Sequence, residues 1–291
     1  MSKKMKNLIV RTITGILFVA TMVVGIMHPD AMMLLFAIIT GLATWEYTGL
    51  VNEIENVSIN RFISTAAGVY FFLAVAGFCC DMIPIAGFIP YLLTIVYLFI
   101  SELYTHAPNS VNNWAYTMLG QMYIAVPLSM INVLAFQTDA QGNLTYNWLL
   151  PLSIFVFLWL NDTGAYCTGS LFGKHKLFPR ISPAKSWEGS IGGAIFVLIA
   201  AAFIGWHESP VVDDGAAEHA MSIYTWVGLG LVVVFFGTWG DLVESLFKRT
   251  LGIKDSGNIL PGHGGMLDRF DSALMAIPAA VIYLYSLTLL A

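Results

Sequence analysis

Charge is what this sequence has least of. Asp, Glu, Lys and Arg make up 11% of its 291 residues, less than half the roughly 25% of an ordinary soluble domain. Cysteine is scarce as well: Cys79, Cys80 and Cys167 are odd in number, with two adjacent, which excludes a disulfide framework and zinc-ligand spacing. No internal repeat, low-complexity tract or separate soluble domain is visible. The Walker A order G-x-x-x-x-G-K-[ST] is missing. So is any Ser-His-Asp order or Cys-His pairing, which leaves little support for a covalent protein nucleophile.

Apolar runs fill the space that charge leaves. Hydrophobic residues reach 57% and the mean hydropathy is +0.75. Residues 12–29, 31–45, 62–80, 82–101, 103–138, 140–161, 189–207, 219–240 and 272–291 contain no Asp, Glu, Lys or Arg. A bilayer core about 30 Å thick takes about 20 helical residues, and backbone polar groups facing lipid must be satisfied within the segment. The pattern therefore predicts an all-α, polytopic membrane protein of about nine spans, the second marginal in length. The basic start before the first run resembles a signal peptide, but the run is long and no A-x-A site follows, so it is read as an uncleaved helix.

All 13 Lys and Arg fall in four places: Lys3, Lys4, Lys6 and Arg11; Arg61; Lys174, Lys176, Arg180 and Lys185; and Lys248, Arg249, Lys254 and Arg269. With nine spans and a cytoplasmic N-terminus, every one of these lands on the cytoplasmic side, as the positive-inside rule requires. The chain reads as one membrane domain, residues 1–140 as scaffold and lipid-facing helices and 141–291 as the catalytic half. That half carries the long polar cytoplasmic segments 162–188 and 241–271.

Ionised groups near lipid are costly, so the second of these segments is a functional-site hypothesis by default. In G-D-L-V-E-S-L-F-K-R (240–249), Asp241, Glu244, Ser245 and Lys248 share one helical face. This offers oxygen ligands, or alternatively a solvated helix end with a Glu244–Lys248 pair. Between Gly252 and Gly265, five glycines in 14 residues let backbone N–H groups approach an anion; Gly264 and Gly265 are candidates to touch substrate, and His263 lies among them as a phosphate or base contact or a structural hydrogen bond. Asp268 and Asp271 follow three residues apart. Carboxylates gathered in a semi-dry place repel one another unless a cation intervenes, and oxygen ligands beside a phosphate suit Mg²⁺. Capping of the last helix is the competing role for Asp271. Upstream, N-D-T-G-A-Y (161–166), F-G-K-H-K (172–176) and I-S-P-A-K-S-W-E-G-S (181–190) supply Asp162, Lys174, Lys185 and Glu188. Ser182 and Ser186 are either phosphate-reaching hydroxyls or, the simpler reading, an N-cap for the seventh helix.

Together, S-L-F-K-R-T-L-G-I-K-D-S-G-N-I-L-P-G-H-G-G-M-L-D-R-F-D (245–271) resembles the signature of the phosphatidate cytidylyltransferases, S-x-x-K-R, K-D and P-G-H-G-G-x-x-D-R-x-D. The similarity is close over about residues 150–275 and lies only in hydropathy over the first 140. It implies an all-helical bacterial inner-membrane enzyme making CDP-diacylglycerol and pyrophosphate from CTP and phosphatidate. The implied cofactor is Mg²⁺, with a monovalent cation such as K⁺ as an addition. By the same resemblance Asp241 and Asp268 are the metal-binding aspartates, Lys248 and Arg249 hold phosphate, and Asp162, Lys185 and Glu188 line the same cavity. The candidate set adds Glu244 and Asp271 as metal ligands, places Asp255, His263 and Arg269 with Lys248 and Arg249 in the catalytic block, and has Lys174, Ser182, Ser245, Gly264 and Gly265 contact substrate with Asp162, Lys185 and Glu188. No nucleic-acid partner is expected. A homodimer is open, because Gly189-x-x-x-Gly193 packs helices within or between chains. Rival readings are another CTP-using lipid enzyme, such as an archaeol-type cytidylyltransferase or a polyprenol kinase, and a cation transporter. The D-G-x-x-A-R pattern of CDP-alcohol phosphotransferases is absent.

Overall fold

A computed structural model describes residues 3–105, 107–139, 142–208, 221–259, 262 and 264–290, without the side chains of 3, 4, 6–8 and 290. Among the described residues, nine helices are long and apolar enough to cross a membrane. They are α1 (Lys3–Ile26), α2 (Pro29–Val51), α3 (Arg61–Cys79), α4 (Ile89–Thr105), α5 (Ser110–Ala135), α6 (Leu149–Phe172), α7 (Trp187–Glu208), α8 (Ile223–Thr250) and α9 (Leu267–Leu290). Two short hairpins accompany them: β1 (Phe136–Thr138) with β2 (Leu144–Tyr146), and β3 (Lys176–Phe178) with β4 (Ser182–Ser186). The protein is a multi-pass, all-α membrane protein.

Helix starts follow from local chemistry. Asn60 Oδ1 accepts the Ile63 N–H at the head of α3, and Asn109 Oδ1 accepts that of Asn112 at the head of α5. Ser186 Oγ accepts the Gly189 N–H at the head of α7. Each satisfies one of the N–H groups a helix N-terminus leaves without an intrahelical partner. Of the two serines, Ser186 is thus the cap. Ser182 is not; it lies in β4, opposite Phe178. The second span is not marginal either. It runs 23 residues and continues past the charge-free window through Glu46, which is only 7% exposed.

Contacts divide the chain into two compact units, residues 1–136 with 248–270, and 137–247 with 271–291. The glycine-rich segment belongs to the first of these units, with the N-terminal helices. The first unit's core is Met22, Ile26, Met32, Phe36, Tyr47, Phe72, Ile124, Leu128 and Phe270, all buried. The Phe270 ring meets Phe18 and Phe36 edge-on, with centroids 6.0 and 6.1 Å away, a favoured aromatic geometry. α5 carries a π turn at Gln121–Ala125, just before Pro127, which has no N–H to donate. There Gln121 Nε2 donates to the Ser64 carbonyl of α3 at 2.8 Å.

In the second unit, α6 and α7 pack through small residues. A methyl on Gly164 would come 2.9 Å from the Gly193 Cα, and one on Gly189 would come 2.9 Å from the Ala165 carbonyl oxygen. Gly189-x-x-x-Gly193 therefore joins two helices of one chain. Close backbone approach of this kind is how membrane helices gain van der Waals contact where lipid is as apolar as the side chains. Large side chains such as Phe203 and Ile199 point outward, 61% and 66% exposed, as a lipid-facing surface requires.

Candidate active site

In the first unit the glycine-rich segment is tied down by two carboxylates. Asp268, in the first turn of α9, accepts from Lys248 Nζ at 2.6 Å and from the Ser256 and Gly265 backbone N–H groups at 2.9 and 2.8 Å. The Lys248 and Asp268 side chains are 11% and 6% exposed, so this ion pair is largely dry. Gly264 takes φ +83, a region L side chains avoid, and a Cβ there would strike Asp268 Oδ2. Glycine is required at this point by both conformation and space.

The second carboxylate comes from α2. Glu46 Oε1 accepts the Met266 N–H at 2.8 Å, while Oε2 accepts the Leu267 N–H at 2.9 Å and the Ser256 hydroxyl at 3.2 Å. α9 begins at Leu267, so Glu46 caps this helix from a distance, in place of a residue local to it. Anions are favoured at helix N-termini by the same unpaired N–H groups and the helix dipole. A Cβ on Gly265 would collide with Glu46 Oε2 and Ser256 Oγ, and one on Gly257 would come 2.7 Å from Glu46 Oε1. Both glycines let the loop close onto this carboxylate. Of the other predicted residues here, Arg249 is exposed, its Nη1 donating to the Ile253 carbonyl at 2.9 Å. Asp255 and Arg269 are exposed, and His263 lies outside the described residues.

In the second unit, a cavity of about 330 Å³ opens among α6, β4, the start of α7 and α8. Asp162 and Lys185 both line it. Lys185 Nζ forms an ion pair with Asp241 Oδ2, and Asp241 Oδ1 accepts the Ser245 hydroxyl at 3.1 Å, one helical turn on. Glu244 is fully buried. Asp241, Glu244 and Asp162 all act electrostatically on Asp271 of α9, so these four carboxylates share one neighbourhood, with Lys185 paired to Asp241. Asp271 Oδ1 also accepts its neighbour's N–H, from Ser272. Of the predicted metal set, Asp241, Glu244 and Asp271 belong to this unit, and Asp268 to the other. Among the described residues no three of His, Cys, Asp and Glu form a ready-made metal cage.

Glu188 sits at the start of α7, where its carboxylate accepts the Lys174 and His175 backbone N–H groups, each at 3.1 Å, and pairs with the His175 ring. It anchors the loop leading into the β3–β4 hairpin, and Lys174 is left with its side chain exposed. Glu188→Ala is expected to free this loop, so that trypsin cuts faster after Lys174 and Lys176 while the helical core stays resistant; unchanged cleavage would show the anchor to be dispensable.

Residues 9–287 match the profile of the Cytidylyltransferase family. The chain belongs to that family. Among its relatives, the phosphatidate cytidylyltransferase of Staphylococcus epidermidis is 34% identical over 280 residues, 94% of this chain and 98% of that protein. Those of Staphylococcus aureus and Staphylococcus haemolyticus are 34% and 33% identical over 279 and 276 residues, with the same coverage. The kinship of this cytidylyltransferase thus extends through its first 140 residues, where the sequence showed likeness in hydropathy alone.

Those N-terminal helices also supply the residue that sequence reasoning passed over. Glu46 directly follows the charge-free run 31–45. Its signal was its isolation: a lone acid with apolar sequence on both sides, which is unfavourable in a membrane helix unless something pairs with it. Ser256 lies within the K-D-S-G segment, but nothing in its spacing separates it from neighbouring polar residues.

Proposed function

We propose that this protein transfers the cytidylyl group of CTP to phosphatidate, yielding CDP-diacylglycerol and pyrophosphate, in the bacterial inner membrane. The observation that carries this reading is the lysine-and-carboxylate cavity of the second unit, in a chain that its named relatives match over 94% of its length. The lipid phosphate oxygen attacks the α-phosphorus of CTP. The bond from that phosphorus to the α,β-bridging oxygen breaks, and pyrophosphate leaves in line. Both substrates are anions, so the protein's task is mainly positioning and charge compensation, and no covalent intermediate is needed.

The residues divide that task. Lys185 faces the cavity and is held by Asp241, placing a cation where a nucleotide phosphate would bind. Lys248 is held by Asp268 beside the backbone N–H groups of the glycine-rich loop, the components of an anion cradle. The N-terminus and the site are cytoplasmic in this reading, which puts every Lys and Arg on the side where CTP is found.

The donor chemistry fits Mg²⁺. All candidate ligands are carboxylate oxygens, and Mg²⁺ commonly takes one or two of these and completes its shell with water and substrate phosphates. Asp241 with Glu244 and Asp271 would hold it; when bound, it neutralises charge on the phosphates. The gathering of four carboxylates in one neighbourhood supports this assignment, since like charges brought together call for a cation. Asp241→Asn is expected to raise the Mg²⁺ concentration for half-maximal activity at least tenfold with the protein still inserted. An unchanged Mg²⁺ dependence would remove Asp241 from the metal site. CTP-dependent pyrophosphate release by the purified protein, with a panel of lipids, tests the function itself. Release with phosphatidate supports the proposal, and release only with a polyprenol or an archaeal-type lipid overturns it.

A further inference from the structure

The first unit holds another buried acid, Glu102, in the last turn of α4. It lines a cavity of about 460 Å³ together with Ser58, Asn60, Tyr97, Ser101, Tyr104 and Thr105. Three helix ends come together here: the last turn of α4, the Asn60 cap of α3, and the first turn of α5, which supplies Asn113. The ends of membrane-spanning helices lie at headgroup depth, a level that tyrosines favour.

Glu102 is 9% exposed, and only one of its oxygens is engaged. Oε2 accepts from Asn113 Nδ2 at 2.9 Å and from the Thr105 hydroxyl at 3.4 Å. Asn113 is itself buried, and its Oδ1 accepts the Ser58 N–H at 2.8 Å. The amide thus fixes the carboxylate against the segment that leads into α3. Oε1 accepts no hydrogen bond and the carboxylate has no ion pair among the described residues, yet this oxygen keeps accessible surface. No Lys, Arg or His is among the described residues lining the cavity. A buried carboxylate without a counter-charge is costly. This one calls for a cation from outside the chain.

We propose that this cavity binds a primary ammonium group, with Glu102 Oε1 as its counter-ion. The inference stands apart from the cytidylyl-transfer reading, since none of these residues belongs to that site. An ammonium brings three N–H donors and no acceptor, so it needs oxygens around it. Ser101 Oγ and Thr105 Oγ1 already donate their protons, to the Leu98 and Glu102 carbonyls, and what they have left to offer is acceptance. Tyr97 and Tyr104 add aromatic rings, whose faces attract a cation. A quaternary ammonium carries no N–H for Oε1, and a purely anionic headgroup meets a carboxylate with no basic side chain beside it. The same chemistry could arrive on a lipid headgroup or on a small free amine. Placement at helix ends, beside the exposed apolar side chains of Ile100 and Leu103, favours the lipid.

The test titrates the purified full-length protein in an uncharged detergent and reads binding from the melting temperature. The probes are phosphatidylethanolamine, phosphatidylcholine, phosphatidylglycerol and the soluble glycerophosphoethanolamine. Phosphatidylethanolamine should raise the melting temperature by about 3 °C or more, and the other two lipids should leave it unchanged. Glu102→Gln should weaken phosphatidylethanolamine binding about tenfold or more, because the charged acceptor is gone. Tyr104→Leu, a change at an exposed rim position, should weaken it about threefold and decides the matter if Glu102→Gln fails to insert. Glycerophosphoethanolamine binding as tightly as the lipid would keep the ammonium site and overturn the lipid source. Equal shifts from all three lipids, or an affinity that neither substitution changes, overturn the site and leave Glu102 as a structural acid of the α4–α5 contact. Stabilisation by K⁺ or Mg²⁺ that Glu102→Gln removes, with none from the amines, also overturns the ammonium and makes this a metal site.

Discussion

Asp268→Asn is expected to lose activity and stability together. Asparagine keeps one acceptor oxygen but removes the negative charge opposite Lys248, which is nearly buried. Its amide NH₂ must then face either that ammonium or the N–H of Ser256 or Gly265, all donors. Leaving one partner of a buried ion pair uncompensated costs about 3–5 kcal/mol. Loss of preorganised charge stabilisation costs on the order of 10²–10³ in turnover. Pyrophosphate release should fall by at least that factor, with a lowered melting temperature in detergent. The double variant Lys248→Met with Asp268→Asn separates the two effects: it should recover much of the stability, since neither charge remains buried and the asparagine oxygen still accepts from the Ser256 and Gly265 N–H groups, and none of the activity. Recovery of activity in the double variant would show that Asp268 serves only to neutralise Lys248.

The second large effect is expected at Glu46. Three donors converge on this carboxylate: two backbone N–H groups at the head of α9 and the Ser256 hydroxyl. Hydrogen bonds to a charged group contribute about 1.5–3 kcal/mol each, so the loop and the start of α9 depend on it. Glu46→Gln puts an NH₂ where one of those donors now finds an acceptor. We expect kcat to fall about tenfold to a hundredfold with little change in KM for CTP, because Glu46 positions the loop and does not touch substrate. Glu46→Ala should be worse and should make the 250–266 segment sensitive to protease. Full activity in Glu46→Gln, in a protein melting at the wild-type temperature, would show that the loop holds its shape without this anchor.

Both effects concern a segment whose importance was plain from the sequence but whose supports were not. Lys248, Asp268 and the glycines stood out because polar residues are rare in this chain, and their order resembled a known signature. That Asp268 would be committed to Lys248 and two backbone N–H groups was not visible. Neither was the division of the expected metal ligands between two units, because the boundaries fall inside continuous helices, at Phe247/Lys248 and Phe270/Asp271.

By itself the sequence determined the membrane class, the span count and the family. Those properties are written locally: apolar length sets a span, and a signature is a string. Only the tertiary structure decided which carboxylate holds the glycine-rich loop, which serine caps α7, and that the Gly189–Gly193 stripe packs within one chain. Glu46 reaches its partners across 210 to 221 residues of chain. Hydropathy and helical periodicity fix only which face of a helix is polar. They carry no information about which distant donor that face meets once the helices have packed.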